Sequence, residues 1–369
     1  MKFIEKLKKL YMLCPIRHTI FIISLMVIAL HLALRNSAAA MKFISQNIVQ
    51  PINQFCTMIT SNFSFSVAEL LIACLIIVFA VYLVYSLVLS YKNKKMLYMF
   101  LISAVTAITA IYAGFCALWG CYFYDSSFAE KSGLNEDPIS VEQLETVTAY
   151  FASLANDYAH QVQRDTKGVY TVDRQEIIAK SEYVYDRAEE IFPCLEANDV
   201  KVKGIYFSNI LSMLDFTGFY FPFTGEANVN MDFPPSLFAS TVAHEISHQR
   251  GVCKEQESNF LAVFSSLEYG DVDYCYSACL LAYTHLGNAL HRANYDAWEK
   301  IYLSLDEAIL RDFAANRAYW AKYETPVQKV SNTVYENFMY SYDQELGLKS
   351  YGACVDLLVN YYYEKAADR

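Results

Sequence analysis

Histidine is scarce in this chain, seven among 369 residues, and charge is thin, with Asp, Glu, Lys and Arg making up only 18 %. The thin charge, set against 55 % hydrophobic residues and a mean hydropathy of +0.18, excludes an ordinary soluble enzyme. No internal repeat recurs and no low-complexity linker divides the chain, which excludes a solenoid or a flexible array. Cysteines are present but form no dense framework. Six of the ten (Cys121, Cys194, Cys253, Cys275, Cys279, Cys354) follow residue 120, with Cys275 and Cys279 four apart on a helical stretch. That spacing assigns no disulfide.

Charge is most nearly absent from three runs, Thr19–Leu34, Val67–Leu89 and Met96–Trp119. The second and third exceed the roughly 20 residues that a helix needs to cross a bilayer; the first needs its flanks or a thinner membrane. The first also follows the basic stretch MKFIEKLKKL and precedes RNSAAAMKF, a layout that would suit a signal peptide. With two further spans behind it, an uncleaved span is the preferred reading. Lys2, Lys6, Lys8, Lys9 and Arg17 precede the first run, and Lys92, Lys94 and Lys95 separate the second from the third. The positive-inside rule puts both basic segments in the cytoplasm.

The expected organisation is therefore a membrane domain over residues 1–120, in the cytoplasmic membrane with the N-terminus inside, and an extracytoplasmic domain over residues 121–369. Charge divides at the same place, with a net of +8 before residue 121 and −18 after it. The lipid bilayer is then a partner of the first part. The acidity of the second excludes nucleic acid as a partner and disfavours its lying flat on anionic lipid.

In the second part, EDPISVEQLETVTAYFASLANDYAHQV and DRQEIIAKSEYVYDRAEEIF have helical spacing. VKGIYFSNI and FTGFYFPFTGEANVNM are aromatic and β-branched, broken by Gly218, Pro222 and Gly225, and predict short strands with a turn. Ser236, after Pro234 and Pro235, is expected to cap a helix, with three or four more helices following and breaks near Gly270, Pro326 and Gly352. The predicted fold is mostly helical α+β with a small sheet just before the Ser236 helix.

That helix carries AHEISHQRG. Residues four apart share a helical face, so His244 and His248 can reach one metal ion. Neutral imidazole suits zinc, and a catalytic zinc keeps three protein ligands with water in the fourth position. Glu245 can reach such a water and take its proton. With so few histidines a chance match on an amphipathic helix is improbable, and Gly251 stands where the helix should end. The third ligand is Glu255 or Glu257, which face opposite sides of any helix that holds both. Glu255 shares its side with Ser258, Asn259, Ala262 and Ser266, while Glu257 sides with Phe260, Leu261 and Phe264. Glu255 is preferred, with Asn259 one turn on to orient a ligating histidine. The other glutamate is expected in a salt bridge, to Arg250 or Lys254.

HEISH followed by EQESN resembles the glutamate zincins, metallopeptidases in which two histidines and a downstream glutamate bind zinc. FYFPFTGEANVN, HEISHQRG, KEQESNFLA and the late LKSYGACVDLL, behind three spans ending in LWGCYFY, are similar over nearly the whole chain to an uncharacterised family of bacterial membrane-anchored zincin-like proteins. The resemblance implies one zinc at His244, His248 and a glutamate of the next helix, with Glu245 as general base. Asn259 stands where that pattern ends in Asp, and the interval from His248 to Glu255 is short, so the chain must turn sharply at Gly251. Zincins bind peptide along an edge strand, a role FTGFYFPF would fill through Phe219, Tyr220 and Phe221. A tyrosine or histidine usually steadies the oxyanion; Tyr276 and Tyr220 are the chosen candidates, with Tyr274 and His285 behind them. His160 and His291 read as surface or core residues, and the tyrosines of VYENFMYSY and VNYYYEK as helix packing.

The expected function is a membrane-anchored zinc metallopeptidase that hydrolyses peptides or proteins outside the membrane. A non-catalytic, zinc-stabilised sensor or assembly protein is the alternative, although a decayed scaffold would lose Glu245 first. A third reading sets the site near the membrane, acting on lipid-linked or membrane-embedded substrates. Intramembrane proteolysis does not fit, because the motif follows the last run by more than about 120 residues and lies outside any span.

Overall fold

The computed structural model describes residues 2–90, 93–135, 137–342 and 351–369. Lys92 of the basic loop and residues 348–350 of the LKSYGACVDLL motif lie outside the described residues. The chain forms two compact units, one of residues 1–56, 67–125 and 222–224, the other of residues 57–66, 126–221 and 225–369.

The first unit is helical: α1 (Lys2–Tyr11), α2 (Pro15–Leu34), α3 (Ala38–Ile44), a π turn (Ser45–Val49), α4 (Gln50–Thr60, shared with the second unit), α5 (Val67–Ser90) and α6 (Lys94–Leu118). Three of its helices, Pro15–Leu34, Val67–Leu89 and Lys95–Leu118, are long and apolar enough to cross a membrane. The first reaches that length because Pro15 starts the helix four residues before the uncharged run. α2 and α5 pack against α6, while Met26, Ile76, Val88 and Ile108 point outward, more than half exposed. An apolar exterior with hydrogen bonds turned inward, such as His18 Nε2 to the Tyr98 hydroxyl at 2.7 Å, is what hydrocarbon demands.

The second unit holds α7 (Phe128–Ser132), α8 (Val141–Ala159), α9 (Arg174–Lys180), α10 (Asp186–Ile191), β1 (Lys203–Ile205), α11 (Ser208–Met213), β2 (Gly218–Phe221), β3 (Glu226–Asn230) and α12 (Phe238–Gln249). α13 (Glu255–Tyr269), α14 (Val272–Ala293), α15 (Tyr295–Leu303), α16 (Glu307–Trp320), α17 (Pro326–Ser341) and α18 (Tyr351–Ala367) complete it. Ser140 and Gln143 cap α8 reciprocally, as a Ser-x-x-Gln start should. The expected second helix is instead two short ones. Ser181 breaks it, donating to the Ile178 carbonyl and accepting the Val202 N–H. Only Lys203–Ile205 of VKGIYFSNI is a strand, its remainder turning into α11.

Ser236 does not cap α12, which begins at Phe238 after a 3₁₀ turn. A tertiary partner serves one of its free amides, since the Ser240 N–H donates to Ser277 Oγ at 2.9 Å. Six helices follow α12 among the described residues, more than the three or four expected. Chain breaks do fall at Gly270 and Pro326, but Gly352 lies inside the first turn of α18.

α14 packs along α8 and against α12 and α13, and α18 covers α8 and α13. Phe151, Phe238, Phe260, Phe264, Leu286 and Leu358 are fully buried between them. The sheet has the order β1-β3-β2, with β1 parallel and β2 antiparallel to β3. α12 lies against β2 and β3, so the motif helix has an edge strand on one side and the helical core on the other.

Candidate metal centre

Several contacts hold α12 before its histidines come into play. The Tyr185 hydroxyl donates to the Ala243 carbonyl at 2.9 Å, and Gln249 Nε2 donates to the Gly225 carbonyl at 2.8 Å. His244 and His248 then stand one turn apart, ring centroids 4.8 Å from each other. The helix stops where Gly251 takes φ +84°, a conformation that favours glycine. The Val252 N–H bonds the Ser247 carbonyl and the Gly251 N–H bonds the His248 carbonyl, the paired bonds of a Schellman turn. This turn brings the Val252 carbonyl 2.7 Å from His248 Nδ1 and starts α13 at Glu255.

Glu255 Oε2 lies 3.1 Å from His244 Nε2 and 3.8 Å from His248 Nε2. Tetrahedral zinc with ligands at about 2.0–2.1 Å sets its ligand atoms about 3.3 Å apart, and the two histidine–glutamate distances bracket that spacing. One ligand atom from each residue lies within 4.8 Å of the others. The outer contacts also suit metal binding. His244 Nδ1 bonds Asn259 Oδ1 at 2.9 Å and His248 Nδ1 bonds the Val252 carbonyl, so each ring holds a proton on Nδ1 and turns Nε2 toward Glu255. Ser258 Oγ stands 3.3 Å from His248 Nδ1. The Tyr335 hydroxyl donates to Glu255 Oε1 at 2.7 Å, leaving Oε2 to face the histidines.

Burial is the largest influence on each titrating group here. It disfavours the imidazolium of His244, but the hydrogen bond and charge of Glu255 outweigh it and raise that pKa. His248, with less help from Glu255, falls to about 4. Burial pushes the Glu255 carboxyl upward, yet the His244 hydrogen bond and the nearby imidazoles hold it at about 2. For Glu245 burial outweighs the opposing charge of His244, Glu255 adds to the rise, and the carboxyl is pushed up to about 8. It is 4 % exposed, and its Oε2 has no hydrogen-bond partner among the described residues. A Cβ on Gly218 would lie 2.6 Å from Glu245 Oε1 and 2.8 Å from the Asn228 carbonyl, so glycine at the start of β2 makes room for this carboxylate.

The structure brings together His244, His248, Glu245, Glu255 and Asn259, but not Glu257. That carboxylate is buried and accepts the Ala129 N–H at 3.1 Å, at the start of α7. Arg250, one of the salt-bridge partners expected for it, pairs with Glu189 and Asp199 instead. The Tyr276 hydroxyl donates to Asp312 at 2.5 Å and accepts from Arg164 at 3.0 Å, and the Tyr274 hydroxyl donates to the Ile177 carbonyl. Both hydroxyls are engaged away from the histidines. Phe219, Tyr220 and Phe221 form the half-buried edge strand β2, with Tyr220 opposite Ala227. His285 is buried on α14, its pKa lowered to about 4 by burial and then by the charge of His244. His160 is exposed beside Asp306, and His291 packs its ring on Trp298.

Tyr335 and the Val252 carbonyl are the contributors that the sequence reading missed. The Schellman signal at Gly251 could have pointed to Val252. Tyr335, 80 residues beyond Glu255 and one of 30 tyrosines, carries no local signal. No curated protein and no solved structure matches the chain. Residues 44–359, which take in the second and third apolar helices and the whole histidine–glutamate cluster, match a family model, and the chain belongs to that family, described as "Protein of unknown function (DUF3810)".

Proposed function

We propose that the protein is a membrane-anchored zinc metallopeptidase of the glutamate-zincin type, with His244, His248 and Glu255 as ligands and Glu245 as general base. The observation that carries the reading is the convergence of three ligand atoms beside a buried carboxylate oxygen that has no hydrogen-bond partner among the described residues. Burying such a group unpaired is costly, and a nearby reactant or ion offsets the cost. Zinc bound there supplies Lewis acidity, polarising a carbonyl and lowering the pKa of a water to about 7. Glu245 takes the proton of the attacking water and delivers it to the departing amine nitrogen. Asn259 and the Val252 carbonyl fix the two imidazoles through Nδ1, while the Tyr335 hydroxyl fixes Glu255.

β2 is the edge of its sheet and begins at Gly218 beside Glu245, so its backbone can pair with an extended peptide there. By the positive-inside rule the catalytic unit lies outside the cytoplasmic membrane. Its substrates are therefore peptides or proteins in that compartment.

The test uses the full chain, because residues 57–66 belong to the same unit as the metal cluster. Elemental analysis of the purified protein is expected to find one zinc per chain. Glu245→Gln should keep that zinc and lose about 10²–10⁴-fold of the hydrolysis measured on a mixed peptide library. Hydrolysis that survives the substitution would remove Glu245 as the general base, and a zinc-loaded parent that hydrolyses nothing would sink the hydrolase and leave a zinc-stabilised binding protein. A folded chain that takes up no zinc would sink both.

A further inference from the structure

α4 and the loop after it are built inside out. Thr57, Thr60 and Ser66 are buried, while Met58 (52 %), Ile59 (47 %), Phe63 (44 %) and Phe65 (49 %) stand exposed. The buried residues are polar and bonded. Thr57 Oγ1 donates to the Gly225 carbonyl at 2.8 Å, Ser66 Oγ donates to Asn228 Oδ1 at 2.7 Å, and Lys203 Nζ bonds the Phe63 carbonyl. Phe63 and Phe65 pack on each other outside, ring centroids 5.6 Å apart. Earlier in the same helical stretch Ile48, Ile52 and Phe55 continue the exposed stripe at i, i+4 and i+7, with Ile59 at i+11. An exposed apolar stripe of this extent on a helix marks contact with another phase or partner.

We propose that the apolar face of residues 48–65 docks into the lipid–water boundary of the bilayer that the apolar helices cross, and that residues 57–66 thereby hold the sheet at the membrane surface. The occupant follows from chain continuity. Ser66 is bonded to β3, and the next residue, Val67, begins an apolar helix long enough to span a membrane. At about 3.5 Å per residue, the exposed phenylalanines cannot be far from the start of that helix. The contact is apolar, so it needs no anionic lipid and is compatible with the acidity of the second unit. β2, paired to β3, is then one strand away from residues anchored at the boundary, about 5 Å.

The test places one extra tryptophan at a time, Phe63→Trp or Phe65→Trp, in the full chain in phosphatidylcholine nanodiscs, and subtracts the emission of the parent protein. Lipids brominated near the head of the acyl chain are expected to quench the added indole about twofold or more, as for a ring about 5–10 Å below the boundary. No quenching at either position would overturn the proposal. If aqueous iodide then quenches, the face is bathed in water; if neither quencher acts, a protein partner or a second copy of the chain covers it. The readout needs no catalysis, so its failure and a failure of the peptidase reading are separable.

Discussion

Asp312 and Glu245 are buried carboxylates of the same helical unit, 1 % and 4 % exposed, and their surroundings could hardly differ more. Asp312 accepts from Arg164 Nη1 through both oxygens at 3.1–3.2 Å, from the Tyr276 hydroxyl at 2.5 Å and from the Tyr170 N–H at 2.8 Å. Its charge is opposed and its lone pairs are filled. Glu245 feels the charge of His244, but its Oε2 has no hydrogen-bond donor among the described residues. Around it, two imidazole nitrogens and a second carboxylate converge instead. The first arrangement uses its polarity to join α14 and α16 to the loop after α8; the second leaves a carboxylate oxygen without a donor among the described residues.

Four measurements break or sharpen this contrast. The largest effect is expected from Glu255→Ala, which should abolish the zinc retained through gel filtration, while Glu257→Ala should keep one zinc per chain. Equal loss in both would mean that Glu255 has no special place. Asp312→Ala should cost about 3–5 kcal/mol in denaturant unfolding, because it takes the acceptor from a partly buried guanidinium, the Tyr276 hydroxyl and the Tyr170 N–H, yet leave zinc stoichiometry unchanged in the folded fraction. A loss below about 1 kcal/mol would show the Arg164 network to be dispensable. Asn259→Ala should weaken zinc about 10–100-fold by freeing the His244 ring, and an unaltered affinity would remove Asn259 from the site.

The smallest effect concerns protons. In zinc-free protein Glu245 titrates near 8 when folded, against 4.5 as the ordinary value. Between those values the folded chain holds a proton that the unfolded chain has released, so stability declines as pH rises, by at most about 1.4 kcal/mol per pH unit. His248, depressed to about 4, contributes a slope of opposite sign, and only below its ordinary 6.5. Unfolding midpoints in chelator from about pH 7 to about pH 8 should therefore fall more steeply for the parent than for Glu245→Gln. Parallel slopes would mean that the carboxyl is not held protonated.

Much of the architecture was legible because it follows from short-range chemistry. Apolar length marked the three helices, and helical spacing marked α8. Legibility failed where tertiary contacts overrode local signals. Ser236 has the character of a cap, yet the core supplies Ser277 to α12 instead. Residues 57–66 follow the first apolar helix in sequence and still belong to the globular unit, because Thr57 and Ser66 bond to Gly225 and Asn228.

At the candidate site the sequence alone determined what helical periodicity can reach: His244 and His248 on one face, Glu245 beside the first, and a sharp exit at Gly251. The opposition of Glu255 and Glu257 also followed from a two-residue offset. Which of them meets the histidines depended on where α13 docks, a matter of the packing of Phe260 and Phe264 against the core. The room for Glu245 beside Gly218 and the hydroxyl of Tyr335 on Glu255 were likewise decided by tertiary structure. Both arise between segments distant in the chain, and periodicity carries no information about which distant surfaces will meet.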